Sequence, residues 1–208
     1  MYTIFFFIMG SYSRAMRLLV HLCCGPCAAY PMPRLLAAGH SVQGFFFNPN
    51  IHPFQEFRRR LDALQTLSRL QGWELVADER YGLTEYLRQV VFDEARRCRH
   101  CYDMRLERTA REAARGGFDA FTTTLLYSRY QQHELIRERA GFWAGRCGVA
   151  FYYEDFREGW QQGIDESIRL GLYRQAYCGC IYSEQERYDR EWRRAERARQ
   201  RAARLAAG

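Results

Sequence analysis

Seven of the eight cysteines in this chain fall into three tight groups, and thiols so spaced either hold a soft metal or trade two electrons as a dithiol pair. Cys23, Cys24 and Cys27 form C-C-x-x-C in "LLVHLCCGPC". Cys98 and Cys101 form C-x-x-C in "RRCRHCYDMRL", and Cys178 and Cys180 form C-x-C in "YRQAYCGC". One pair cannot fill a tetrahedral site, but groups brought together by a fold can. Four thiolates satisfy zinc or a [4Fe-4S] cluster, and seven exceed one such site. The spare thiols weigh toward iron and sulfur, because a structural zinc site would leave them without a role. Arginines beside Cys98 lower a thiol pKa and offset thiolate charge. The glycine between Cys178 and Cys180 lets both thiols turn toward one point. Cys147 stands alone near a helix end and reads as core.

The elements that must position these groups alternate along the chain. "RLLVHL", "SVQGFFFNPN", "WELVAD", "FDAFTTTLL" and "VAFYYEDF" have the apolar, β-branched and aromatic character of buried strands. Between them, "AAYPMPRLLAAG", "PFQEFRRRLDALQTLSRLQG", "MRLERTAREAARGG" and "QQHELIRERAGFWAGRCG" carry apolar residues at helical spacing. The series predicts an α/β fold, a parallel sheet with helices on both faces, whose ligands sit at the carboxyl ends of the strands. The first cysteine group lies at such an end, and the C-x-x-C at the entrance of a helix.

With 208 residues, nearly half of them hydrophobic, the chain suits one globular domain, expected over residues 16–186. All 31 basic residues are arginine, which excludes a Walker A phosphate loop and Schiff-base chemistry, since both need lysine. The net charge of +7 suits an anionic partner such as RNA. The apolar run from Ile4 to Met9 is too short for a membrane span, and no basic residue precedes it as a signal peptide requires. A cytoplasmic protein with no membrane partner is therefore expected. Met16 precedes the first strand, so residues 1–15 read as a dispensable extension. Residues 187–208 form a basic tail with eight arginines against Asp189, Glu191 and Glu196. It is expected to be an exposed helix, either simply a solvated tail or a grip on RNA phosphates.

Several long motifs, in order, carry a resemblance: "LLVHLCCGPC", "FFNPNIHPFQEFRRR", "RCRHCYDMRLERTA", "GFDAFTTTLLYSRYQ", "YYEDFREG" and "YRQAYCGCIYS". From about Arg17 to Ser183 the chain resembles the QueH-type, cobalamin-independent epoxyqueuosine reductases. The resemblance implies a fold like the nucleotide α-hydrolases (HUP class), with cysteines in place of an ATP-binding loop. It implies reduction of the epoxide of epoxyqueuosine at the tRNA wobble position, giving queuosine and water by two electrons and two protons. A redox cofactor or dithiol must supply the electrons. The resemblance implies a [4Fe-4S] cluster beside a second redox element, a mononuclear iron or a dithiol, served by an unidentified electron donor.

On this basis Cys23, Cys24, Cys98 and Cys101 are assigned to the cluster. Cys178 and Cys180 become the redox-active pair, able to form a disulfide, or ligands of a second iron joined by Cys27. Asp155 is a candidate iron ligand or proton donor, with a helix cap as the plainer role. Asn50 and His52 are candidates for substrate contact, and Thr122 to Thr124 for base contact or plain strand. His21 reads as a hydrogen-bonded core residue. Phe47 and Arg129 stand where the family commonly has Tyr and Pro, which affects the rim of the site. The alternatives are an ATP-dependent tRNA thiolase, which needs a glycine- and serine-rich loop where "CCGPC" stands, and a non-enzymatic zinc-binding RNA adaptor.

Overall fold

A computed structural model of the chain describes residues 14–206 and the two-residue strand β1 (Phe7–Ile8). Most of the extension at residues 1–15 therefore lies outside the described residues. The other strands are β2 (Arg17–His21), β3 (Ser41–Phe46), β4 (Glu74–Ala77), β5 (Ala120–Thr123) and β6 (Ala150–Tyr152). They form one sheet in the order β1-β6-β5-β2-β3-β4, and every pairing is parallel. The two central strands are buried along nearly their whole length, from Leu18 to His21 and from Ala120 to Thr123, as a sheet covered on both faces requires.

From β2 the chain steps outward to β3 and β4, then returns across the sheet to β5 and steps the other way to β6. Right-handed crossovers turn that reversal into helices on opposite faces. On one face α1 (Gly25–Ala28) packs against α3 (Phe54–Gln71) and α7 (Trp160–Arg169), while α2 (Pro31–Ala37) packs on β3. On the other, α5 (Arg97–Arg115) packs against α6 (His133–Cys147). α3 shows why such helices form: Phe57, Leu61, Leu64 and Leu67 repeat at intervals of three and four and are all buried. Open α/β sheets bind ligands in the crevice outside the carboxyl ends of the strands at such a switch point, here the ends of β2 and β5.

The structure departs from the sequence reading in three places. The run "FDAFTTTLL" is strand only to Thr123, because the Thr123 hydroxyl accepts the Leu125 N–H at 3.1 Å and turns Thr124–Tyr127 into a 3-10 turn. α5 begins at Arg97, so Cys98 and Cys101 lie within its first two turns. The short helices α4 (Leu83–Val90), α7 and α8 (Ile181–Tyr188) went unread; in α4 a helical signal was present, Leu83, Tyr86, Leu87 and Val90 recurring at intervals of three, one and three, over only two turns. Within the basic tail the chain forms α9 (Arg190–Ala206). No helix among the described residues is long and apolar enough to cross a membrane.

Candidate functional site

The C-C-x-x-C group leaves the sheet directly after β2. Cys24 is extended and is the residue before α1, with Pro26 in the first turn, where no backbone donor is needed. A Cβ at Gly25 would sit 2.9 Å from the Ala63 carbonyl of α3, so only glycine lets this turn rest on α3. The result is a buried cluster in which the thiols of Cys23, Cys24 and Cys27 lie within 4.8 Å of one another, with 3.8 Å between Cys23 and Cys24. Thr124, at the end of β5, accepts the Cys23 N–H at 3.4 Å, and its Oγ1 lies 3.7 Å from the Cys23 Sγ. The Gln175 amide donates to the Cys27 Sγ at 3.4 Å. Hydrogen bonds from Cys24 and Cys27 hold the Cys23 thiol well below its ordinary pKa. Burial pushes Cys24 up, and hydrogen bonding to its two neighbours pushes Cys27 up.

The remaining four thiols gather on the other side of the crevice. Cys101 and Cys180 are buried together with Tyr86 and Val90, and Cys98 is half-buried one turn away on α5. Burial raises the pKa of both Cys98 and Cys101. Gly179 has φ of 146°, a conformation reserved for glycine, and a Cβ there would crowd Arg60 and Ile51. The C-x-C loop is latched from below. Arg60 donates to the Cys178 carbonyl at 2.8 Å, to the Tyr177 carbonyl at 2.9 Å and to Glu56 at 2.7 Å, while the His52 N–H donates to the Gly179 carbonyl at 2.8 Å. Cys178 is exposed and accepts from the Gln131 amide at 3.1 Å. All eight cysteines are free thiols.

Two buried guanidinium groups tie the sets together. Arg105, 2% exposed, donates to the Cys101 Sγ at 2.9 Å and lies within electrostatic reach of Cys23 and Cys178. Arg60, 1% exposed, reaches Cys24 and Cys23 in the same way. Such fixed charges offset thiolates that a dry site would otherwise penalise. Close by, the Asn50 Oδ1 and both ring nitrogens of His52 are buried without a hydrogen-bond partner. Seven thiols, two buried cations and unpartnered polar atoms together fit a thiolate-held metal group.

Each predicted site residue can now be placed. Cys23, Cys24 and Cys27 meet, and Cys98, Cys101, Cys178 and Cys180 share the facing wall. Among the described residues no further set of three or more metal-ligating side chains meets as closely as the trio. Asn50 and His52 are buried beneath the C-x-C loop, and burial lowers the His52 pKa to about 4. Asp155 follows β6 and caps the 3-10 turn Phe156–Gly159, accepting the Arg157 N–H at 3.0 Å. Its carboxyl is held below the ordinary range by the Arg157 side chain. His21 is a neutral core residue, 2.9 Å from the Thr123 hydroxyl and 3.3 Å from the Phe47 carbonyl. Thr122, Thr123 and Thr124 are wholly buried, and the last two spend their hydroxyls on the strand ends.

Sequence reasoning missed Arg60, Glu56, Arg105, Gln131 and Gln175. A signal existed for the arginines. Arg60 falls on the stripe of Phe57 and Leu64, and Arg105 on the stripe of Cys101 and Thr109, so each is a charge on a face destined for burial.

Residues 18–186 match the family model described as epoxyqueuosine reductase QueH. An epoxyqueuosine reductase QueH of Dehalococcoides mccartyi is 41% identical over 174 residues, covering 84% of this chain and 96% of that protein. One from Thermotoga maritima is 32% identical over 185 residues, covering 83% and 92%. Among solved structures, a predicted tRNA methyltransferase subunit from Methanocaldococcus jannaschii superposes with a TM-score of 0.50 at 11% identity, over 72% of this chain and 73% of its own. That likeness concerns the fold alone. With the family match spanning all three cysteine groups, the chain belongs to the epoxyqueuosine reductase QueH family.

Proposed function

We propose that the chain reduces the epoxide of epoxyqueuosine in tRNA to the alkene of queuosine, with its cysteines holding the redox group that does so. The observation that carries this reading is the meeting of two cysteine sets, bridged by Arg105, at the switch point of a family fold. Deoxygenation takes two electrons and two protons, and the oxygen leaves as water. Conversion of the Cys178 and Cys180 thiols to a disulfide releases the same two electrons and two protons, and an external donor must then restore the dithiol. The exposed Cys178 and buried Cys180 straddle the wall of the crevice, which suits this role. Cys23, Cys24, Cys98 and Cys101 are the thiolates we assign to a [4Fe-4S] cluster. Such a cluster supplies electron transfer when bound. Arg60 and Arg105 balance the thiolate charge, Thr124 and Gln175 orient the trio, and Asn50 and His52 support the loop. Asp155, held ionised by Arg157, is suited to accepting a hydrogen bond or a cation. Free thiols throughout suit the reducing cytoplasm.

A second reading has its own observation. Two thiolates on one tetrahedral ion with bonds of about 2.3 Å are about 3.8 Å apart, the separation found between Cys23 and Cys24. On this reading Cys23, Cys24 and Cys27 hold a single iron, and Cys98, Cys101, Cys178 and Cys180 hold the cluster.

The deciding experiment is anaerobic purification with iron and sulfide analysis, followed by mass analysis of tRNA nucleosides before and after reaction. Conversion of epoxyqueuosine to queuosine by an iron- and sulfide-bearing protein is expected. A colourless zinc protein leaving epoxyqueuosine intact would overturn the proposal.

A further inference from the structure

Between the 3-10 turn after β5 and the start of α6, a short loop carries Arg129, Tyr130 and Gln131 at the mouth of the site. Gln131 donates to the Sγ of Cys178 at 3.1 Å, so this loop touches the C-x-C pair itself. The next residue back, Tyr130, is 85% exposed, a large ring held out in solvent. The ring is braced. It stands edge-on to Trp160 with centroids 5.6 Å apart and an interplanar angle of 77°. Trp160 is stacked in turn on the buried Tyr127, at 5.1 Å and 29°, and the Tyr127 hydroxyl donates to the Trp160 carbonyl at 2.8 Å. The Arg129 guanidinium lies 5.7 Å from the Trp160 ring centroid. No step of the thiol chemistry uses Tyr130. An exposed ring braced by a half-buried tryptophan that stacks on a buried tyrosine, with a guanidinium against the same tryptophan, is the arrangement by which proteins capture unpaired bases. The ring offers a stacking face, and the cation meets the adjoining phosphate.

We infer that Tyr130 is the stacking platform for an unpaired nucleobase flanking the reacting nucleoside, with Trp160 as its brace and Arg129 as its phosphate contact. The inference rests on the RNA-substrate reading above. It identifies the element that places the modified nucleoside against Cys178, and it makes the neighbouring base part of the recognition.

The test uses the metal-loaded protein and an anticodon stem-loop carrying epoxyqueuosine. Tyr130→Ala is expected to raise KM about fivefold or more, the low end of what base–aromatic stacking contributes. Its kcat, iron and sulfide content and melting temperature should stay those of the wild type. Tyr130→Phe should retain wild-type KM, and Tyr130→Leu should behave as Tyr130→Ala. Stem-loops made abasic on one or the other side of the wobble nucleotide supply the decisive comparison. On one of them wild type and Tyr130→Ala should become equal. Equal KM on the intact stem-loop, a Tyr130→Leu protein that matches Tyr130→Phe, or a gap that persists on both abasic RNAs would each overturn the platform while leaving the substrate reading intact. A wild-type protein that reduces no such RNA would overturn both.

Discussion

The Nη2 of Arg105 donates to the Sγ of Cys101 at 2.9 Å, one helical turn back along α5, while its Nε donates to the carbonyl of the same residue at 3.1 Å. This places a permanent positive charge between cysteines from two distant parts of the chain. Cys23 and Cys178 both feel it. Replacing Arg105 with methionine keeps much of the volume and removes the charge and its donors. We expect a loss of about 1.5–3 kcal/mol in unfolding free energy, the range for a hydrogen bond to a charged group, and a faster loss of iron on exposure to chelator. Denaturant titration and iron release measured side by side check both expectations.

The cysteine assignments divide by metal content. Cys98→Ala and Cys101→Ala are expected to lose iron and sulfide together on either reading of the site. Cys178→Ser and Cys180→Ser separate the readings. With the C-x-C pair as the dithiol, both keep most iron and sulfide and lose multiple turnover. With the pair as cluster ligands, both lose the cluster. Iron and sulfide analysis of the four variants, with the visible sulfur-to-iron absorption, decides between them.

His52 adds a pH dependence of known sign. Its folded pKa is lowered by burial from 6.5 to about 4. The unfolded chain therefore takes up this proton first as pH falls, and stability declines between pH 6.5 and about pH 4, by about 3 kcal/mol over that window. Above pH 6.5 the term is constant. His52→Phe should flatten the slope of unfolding free energy against pH in this window by one proton. An unchanged slope would show that His52 does not titrate on unfolding.

The tail forms a charged stripe. On α9, at about 100° per residue, Arg190, Arg193, Arg194, Arg197 and Arg201 fall within about 100° of arc. Arg199 pairs with Glu196 at 3.3 Å, and both lie outside the stripe. We propose that the stripe grips tRNA phosphates away from the wobble base. Removing residues 190–208 should weaken binding of full-length tRNA and reduce the slope of log affinity against log salt by up to about 4. Turnover of a short anticodon stem-loop should persist. Binding to anionic lipid vesicles with no change in tRNA affinity would assign the helix to a membrane surface instead.

Much of this was legible from the chain alone. The three cysteine groups, the five principal strands and the helices between them are local patterns, set by residue type and by periods of two and 3.6 that neighbours in sequence must obey. The same holds for Cys98 and Cys101, three apart and therefore on one helical face. What local pattern does not contain is the order of strands in the sheet. That order is set by which apolar faces bury one another, and it alone decides that β2 and β5 lie side by side. Only then do Cys23 and Thr124 touch, Arg60 of α3 reach the C-x-C loop, and Arg105 stand between cysteines far apart in sequence. Asn50 and His52, which read as candidates for substrate contact after a strand end, are buried beneath that loop. For Arg60 and Arg105 the helix stripe signalled burial, but not the partners that make burial tolerable. A buried arginine is identified by the carbonyls and thiols that surround it, and those come from other segments of the chain.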